Sequence, residues 1–159
     1  MLDYATEYSL RRLIHHSTKL QDRGQVEELA QLFARGEIVF GGAGQVFRGI
    51  QGVRTLLKRN RFYDANGTPA DPSRVYATPR ALHYVSNVEV YEGHAGAKAA
   101  ESLFLIVQQL KELPRIVVGG RYLDTFGEAD GSYHFTRRIV EVHFLGDTDG
   151  FLISHPWAS

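Results

Sequence analysis

The chain has no cysteine among its 159 residues. That excludes disulfide stapling, thiolate nucleophiles and metal centres built on sulfur. Nor is there an excess of either charge: Lys plus Arg and Asp plus Glu number 18 each. No summed field therefore draws the protein to nucleic acid or to an anionic membrane. An apolar run of the roughly 18 residues that a membrane span requires is also missing. The opening stretch MLDYATEYSLRRLIHH lacks the basic start, apolar middle and small-residue cleavage site of a secretory signal. The expectation is a cytoplasmic protein with no nucleic-acid or membrane partner, whose function comes from a local site. With 43% of residues hydrophobic, residues 1–159 can bury one sizeable core and read as a single domain.

What is present divides the chain in two. Leu10, Leu13, Ile14, Ser17 and Leu20 recur at helical spacing behind Asp3, a suitable N-cap, and Gly24 marks a stop. A short second helix carries Val26, Leu29, Ala30 and Phe33 on one side. EIVF at 37–40 and QVFRG at 45–49 read as paired strands around a GGAG turn, and residues 50–63 as a third helix with a basic outer face. Residues 64–79 hold three of the five prolines and an Asn-Gly pair, which predicts a surface loop. From residue 81 the pattern is strand-like: LHYVSNVEVYE, AAESLFLIVQQLK, RIVVGGRYLDTF and YHFTRRIVEVHFL. Helices first and a meander afterwards predict an α+β domain with helices against one sheet face.

Two residues carry the candidate chemistry. Asp22, Thr18 and His15 lie four and seven apart, one polar line on the first helix that can turn a carboxylate toward the sheet. His83 alternates with Val85 and Asn87 on one strand face, while Leu82, Tyr84, Val88 and Val90 fall mainly on the other. Alone, Asp22 reads as a turn residue and His83 as a packed strand residue. As a pair they read differently, because a carboxylate bound to one ring nitrogen fixes the tautomer and leaves the other nitrogen as a base. Arg137 and Arg138 point to opposite faces, so at least one of them is solvated.

LRRLIHHSTKLQDRGQVEELAQLF, ALHYVSNVEV and GRYLDTFGEADGSYHFTRRIVEVHFLGD together resemble the SnoaL-like branch of the nuclear-transport-factor-2-like superfamily. The resemblance covers nearly the whole chain. It implies a cone, in which a curved antiparallel or mixed sheet wraps about three N-terminal helices around an internal pocket. In dehydratases and dehydrochlorinases of the branch, the catalytic aspartate and histidine fall on Asp22 and His83 here. Arg138 falls where the branch tends to carry an arginine, a cation able to stabilise a developing anion. Thr18, His15, Asn87, Val85 and Tyr122 are the expected pocket residues. The sequence departs from the branch at Tyr133, often tryptophan, and at GDTDGF, where a histidine commonly follows the turn.

No cofactor and no metal are implied. GGAG leads into a strand and so does not fit a dinucleotide fingerprint, and no histidine pair has the helical spacing of a zinc protease. KRNRFY reads as a solvated helix face. The expected activity is a cofactor-independent lyase or isomerase acting on a small hydrophobic molecule; the alternative is a carrier or an assembly module of the same fold. Epoxide hydrolysis would need two acids flanking an arginine, but Asp124 and Arg121 point to opposite strand faces. Leu103, Leu105 and Val107 oppose Phe104 and Ile106 on one strand, so both faces need cover. With Val88, Val90, His134, Val140 and Val142 extending the outer face, a homodimer or homotrimer through the convex side of the sheet is expected.

Overall fold

The computed structural model describes residues 2–41, 44–74, 76–111 and 113–157. Helix α1 spans Tyr4–Asp22 and is capped by Asp3, whose Oδ1 accepts the Thr6 backbone N–H at 2.8 Å. That N–H is the main reason the Asp3 carboxyl lies below the usual carboxylate range. The helix stops as the sequence predicts. Gly24 adopts φ +68°, its N–H donates to Gln21, and the Gln25 N–H reaches back to Leu20, the paired bonds of a Schellman end. A Cβ at Gly24 would sit 2.3 Å from the Ala77 carbonyl, so both backbone and space demand glycine. This stop places Asp22 in the last turn.

Helix α2 (Val26–Leu32) and helix α3 (Gly49–Leu57) flank the hairpin of β1 (Glu37–Phe40) and β2 (Val46–Arg48). Gly42 and Ala43 of the GGAG stretch, read from sequence as a turn, lie outside the described residues. α3 is shorter than its sequence pattern suggests. After Leu57 the chain leaves the helix to meet the C-terminal segment: the Arg61 N–H donates to Phe151, and the Ile153 N–H to Arg59. KRNRFY is accordingly no solvated helix face, because Asn60, Phe62 and Tyr63 are buried.

The long strands are β3 (Ala81–Glu92), β4 (Lys98–Gln108), β5 (Arg115–Ala129) and β6 (Ser132–Leu145). The sheet order is β2-β1-β6-β5-β4-β3, with β1 parallel to β6 and the other neighbours antiparallel. It is an open, mixed sheet in an α+β domain. Register shifts at 86–89, 106–107, 119–120 and 125–126 bend it, since each bulge adds local twist and curvature. At Gly120 a Cβ would stand 1.9 Å from the Glu141 carbonyl, so only glycine lets β6 approach this closely.

The bulge in β3 corrects the sequence reading of that strand. Asn87 adopts φ +50° and is exposed. One residue is absorbed there, so the alternation changes phase and Val88 and Val90 join His83 and Val85 on the inner face, packed against the core. Leu10, Ile14, Phe33, Val53, Val117 and Phe135 are fully buried between helices and sheet, with the Phe33 and Phe135 rings stacked at 4.6 Å. No helix among the described residues is long and apolar enough to cross a membrane.

Candidate active site

The end of α1 and the start of β3 meet at one carboxylate. Asp22 Oδ1 lies 2.6 Å from His83 Nδ1, and both Asp22 oxygens lie 3.1 Å from the His83 backbone N–H. β3 is the outermost strand, so this N–H is an edge donor that Asp22 satisfies. A carboxylate at a helix C-terminus opposes the helix dipole by about 0.3–1 kcal/mol. The backbone and ring bonds of His83 offset that local penalty. The His83 side chain is fully buried although its backbone is on the sheet edge. Its Nε2 has no hydrogen-bond partner among the described residues.

His83 lines a cavity of about 80 Å³ between the helices and the concave sheet face, several times the ~10–15 Å³ that one water needs. Phe33, Phe40, Phe104, Ile106 and Val140 make most of its wall apolar. Phe151, Leu152, Pro156 and Trp157 of the C-terminal segment complete its lining. Gln108 Nε2 and the Tyr63 hydroxyl, which both donate to the Gly150 carbonyl, hold that segment down.

Arg138 also reaches the cavity, and its charge is matched from the neighbouring strand. Asp124 lies directly across from it on β5. Arg138 Nε donates to Asp124 Oδ1 at 2.7 Å, Nη2 to Oδ2 at 2.8 Å, and Nη1 to Ser17 Oγ at 3.0 Å. Burial works against the guanidinium charge, but the Asp124 pair outweighs it and holds Arg138 above its ordinary range. The Tyr122 ring stacks on Phe104 at 4.2 Å, and the Arg138 guanidinium carbon lies 4.3 Å from its centre. Burial raises the Tyr122 phenol, so it keeps its proton at neutral pH.

The structure thus brings together Asp22, His83, Arg138 and Tyr122 of the residues singled out in the sequence. The other four do not line the cavity. His15 is exposed, two helical turns or about 10 Å from Asp22. Thr18 is buried but spends its hydroxyl on the His15 carbonyl at 3.0 Å. Val85 packs into the core, and the bulge turns Asn87 outward. Three polar contributors went unread. Gln21 and Asn60 line the cavity, and Asp124 pairs with Arg138 and not with Arg121, which points to the convex face and pairs with Glu101 and Glu141. Extended without a break from the Asp130-Gly131 turn, the β5–β6 register would pair Asp124 with Arg137; the bulge at Thr125 and Phe126 shifts the partner to Arg138, and the sequence does not mark it. Asn60 had no sequence signal, being placed by the early end of α3. Among the described residues no group of three or more His, Asp or Glu is arranged to hold a metal ion.

An open mixed sheet wrapped on three helices, enclosing a pocket with an aspartate-bound histidine, defines an α+β cone of the cystatin-like kind. The chain belongs to the SnoaL-like domain family, whose profile matches residues 4–139. It is similar in structure to a scytalone dehydratase candidate of Novosphingobium aromaticivorans: 18% identity over 90% of this chain and 87% of that one, TM-score 0.67. ActVI-ORFA of Streptomyces coelicolor matches at 16% identity over 87% of this chain and 98% of its own, TM-score 0.69. An NTF2-like protein with a cystatin-like fold, also from N. aromaticivorans, matches at 15% over 86% and 81%, TM-score 0.65. At such identities the likeness establishes the fold. No curated protein sequence matches the chain.

Proposed function

We propose that the protein is a cofactor-independent lyase or isomerase that removes a proton from carbon in a small, mostly apolar molecule, with His83 as base. The observation that carries this reading is a histidine of a mostly apolar cavity with one ring nitrogen bound to a carboxylate and the other buried without a partner. The 2.6 Å bond to Asp22 assigns the proton to Nδ1 and leaves the lone pair on Nε2. When Nε2 takes a proton, Asp22 stabilises the imidazolium. A positioned base supplies on the order of 100- to 10,000-fold. Further stabilisation comes from the Arg138 charge and the Tyr122 hydroxyl, which line the same cavity as the developing anion. Loss of water or halide, a double-bond shift and ring closure all begin with this step. The likeness to a scytalone dehydratase candidate is consistent with it.

A second reading, a non-catalytic ligand carrier or assembly module, is favoured by one observation: Asp22 also binds the His83 backbone, a purely structural tie. The two separate in heavy water. Incubation with small cyclic ketones, followed by NMR, is expected to show exchange of the protons beside the carbonyl well above the buffer rate, lost in His83→Ala and Asp22→Asn. Binding without any His83-dependent exchange would favour the module.

A further inference from the structure

The cavity holds more polar character than the dyad uses. Asn60 is 8% exposed and lines the cavity just beyond α3, yet none of the hydrogen bonds among the described residues involves its carboxamide. Its backbone is firmly placed: the N–H donates to Leu57, and the residue bridges Leu152 of the C-terminal segment. Its carboxamide is not among the fully buried unpartnered atoms, so it stays open to a water-sized group, and on the cavity side a ligand oxygen can take that place. Gln21 stands beside it, since both residues line the cavity and the adjoining crevice between α1 and α2.

The other polar groups narrow what that ligand group is. Arg138 spends three of its five N–H groups on Asp124 and Ser17, and Asp124 takes the Nε–Nη2 edge as a bidentate pair, so its charge is already matched by a buried carboxylate. Asp124 balances Arg138, and Asp22 faces a histidine that must be neutral to act as a base. The cavity therefore carries no surplus positive charge and does not favour an anionic substrate. A neutral molecule suits it, with an apolar body against the phenylalanines and one hydrogen-bonding oxygen.

We propose that Asn60 is the substrate-orienting residue of the pocket, its carboxamide donating to the carbonyl or hydroxyl oxygen of a neutral cyclic substrate. The contact comes from the segment after α3, whereas His83 comes from the sheet. Binding the oxygen at Asn60 fixes which carbon is turned toward Nε2, and that choice decides regiochemistry. The inference deepens the proposed function by naming a substrate class, and it uses the same pocket.

The test is binding, not turnover. Cyclohexanone and methylenecyclohexane have nearly the same shape and differ in whether the exocyclic atom accepts a hydrogen bond. Each is titrated into the full chain by NMR, with the indole of Trp157, the sole tryptophan and a lining residue, as reporter. Asn60→Leu is expected to lower the ketone-to-alkene affinity ratio roughly 3- to 10-fold, the worth of one neutral hydrogen bond. Asn60→Asp, which keeps the shape but removes the donor, is expected to lower it as well, and it carries the test if the leucine variant does not fold. A ratio unchanged in both variants overturns the proposal. So does a ratio that survives at Asn60 and collapses in Tyr122→Phe, which would assign the contact to the phenol. Because no proton transfer is measured, a protein that binds without catalysing still gives the expected ratio, and failure of the base chemistry leaves this result standing.

Discussion

Asp22 holds His83 at two points, the ring Nδ1 at 2.6 Å and the backbone N–H at 3.1 Å. One carboxylate thus joins the end of α1 to the free edge of β3 and sets the tautomer of the candidate base. Structure and chemistry share a residue here, and variants at Asp22 report on both.

Asp22→Asn keeps an oxygen for one N–H but loses the charge that stabilises imidazolium. Proton-exchange or turnover rates are expected to fall on the order of 100-fold or more, with His83→Ala as severe and the double variant scarcely worse, because the aspartate acts through the histidine. Asp22→Ala is expected to cost about 1.5–3 kcal/mol of stability as well, the usual worth of hydrogen bonds to a charged group. Rates and thermal melts on the same samples check both statements. Multiplicative losses in the double variant would mean that the two residues act independently, against the dyad.

Arg138 and Asp124 are 5% and 1% exposed and bonded through two nitrogens. Removing one member strands the other charge in the core, which typically costs about 3–5 kcal/mol, whereas replacing both by apolar side chains of similar volume is often neutral. Arg138→Met and Asp124→Leu are each expected to destabilise strongly, and the double variant to recover most of the loss in urea unfolding. Turnover in the double variant is expected to stay low but above that of His83→Ala, since Arg138 assists the anion without moving the proton. Additive stability losses would show that the pair is not coupled.

Most elements were legible because each obeyed a local rule. The Asp3 cap, the Gly24 stop and the alternating strands all carry their cause in adjacent residues. Asp22 and His83 came from a polar helix line and a polar strand position, joined by resemblance to the SnoaL-like branch. The errors are those that local patterns cannot see. Val88 and Val90 face inward because a bulge at Asn87 slips the period by one residue, and nothing in SNVEV distinguishes that from a regular strand. Asn60 is buried because the C-terminal segment, some 90 residues on, pairs with the chain after α3. The Arg138 partner depends on β5–β6 register, which is set by the Asp130-Gly131 turn and the bulge near Thr125 and Phe126.

Two buried phenols give an alkaline limit to stability. Burial raises both Tyr122 and Tyr63 above the ordinary value of 10.0, and the Tyr63 hydroxyl donates to the Gly150 carbonyl at 2.6 Å. The folded state therefore holds these protons more tightly than the unfolded chain. Their contribution is complete below about pH 10 and declines as pH rises toward the raised values. Denaturation midpoints measured from pH 8 to 11 are expected to drop at the upper end. In Tyr63→Phe the drop is expected to be shallower, although the variant starts about 1 kcal/mol less stable for want of one hydrogen bond. An identical pH profile would assign the alkaline loss elsewhere.

The convex face is smaller in apolar content than the sequence suggests, because Val88, Val90, Val140 and Val142 turn out to face the core or the cavity. What remains is nonetheless contiguous. Leu82 and Tyr84 on β3 pair in register with Val107 and Leu105 on β4, and Ile116 follows opposite Val107 on β5. Leu82 and Tyr84 are more than half exposed, and Leu103 is 40% exposed. Beside them Arg121 sits between Glu101 and Glu141, a charged group of both signs suited to the rim of an interface. The three helices cover the opposite face, and the C-terminal segment is committed to the cavity lining, so neither shields this patch. A second copy applied sheet to sheet would bury it with the same residues on both sides, as a two-fold interface requires. Light scattering at micromolar concentration is expected to give a multiple of the 17.9 kDa chain mass, and Tyr84→Asp with Leu103→Asp to return the monomer without disturbing the cavity. A wild-type mass of one chain would leave the convex patch uncovered and end the expectation of a homo-oligomer.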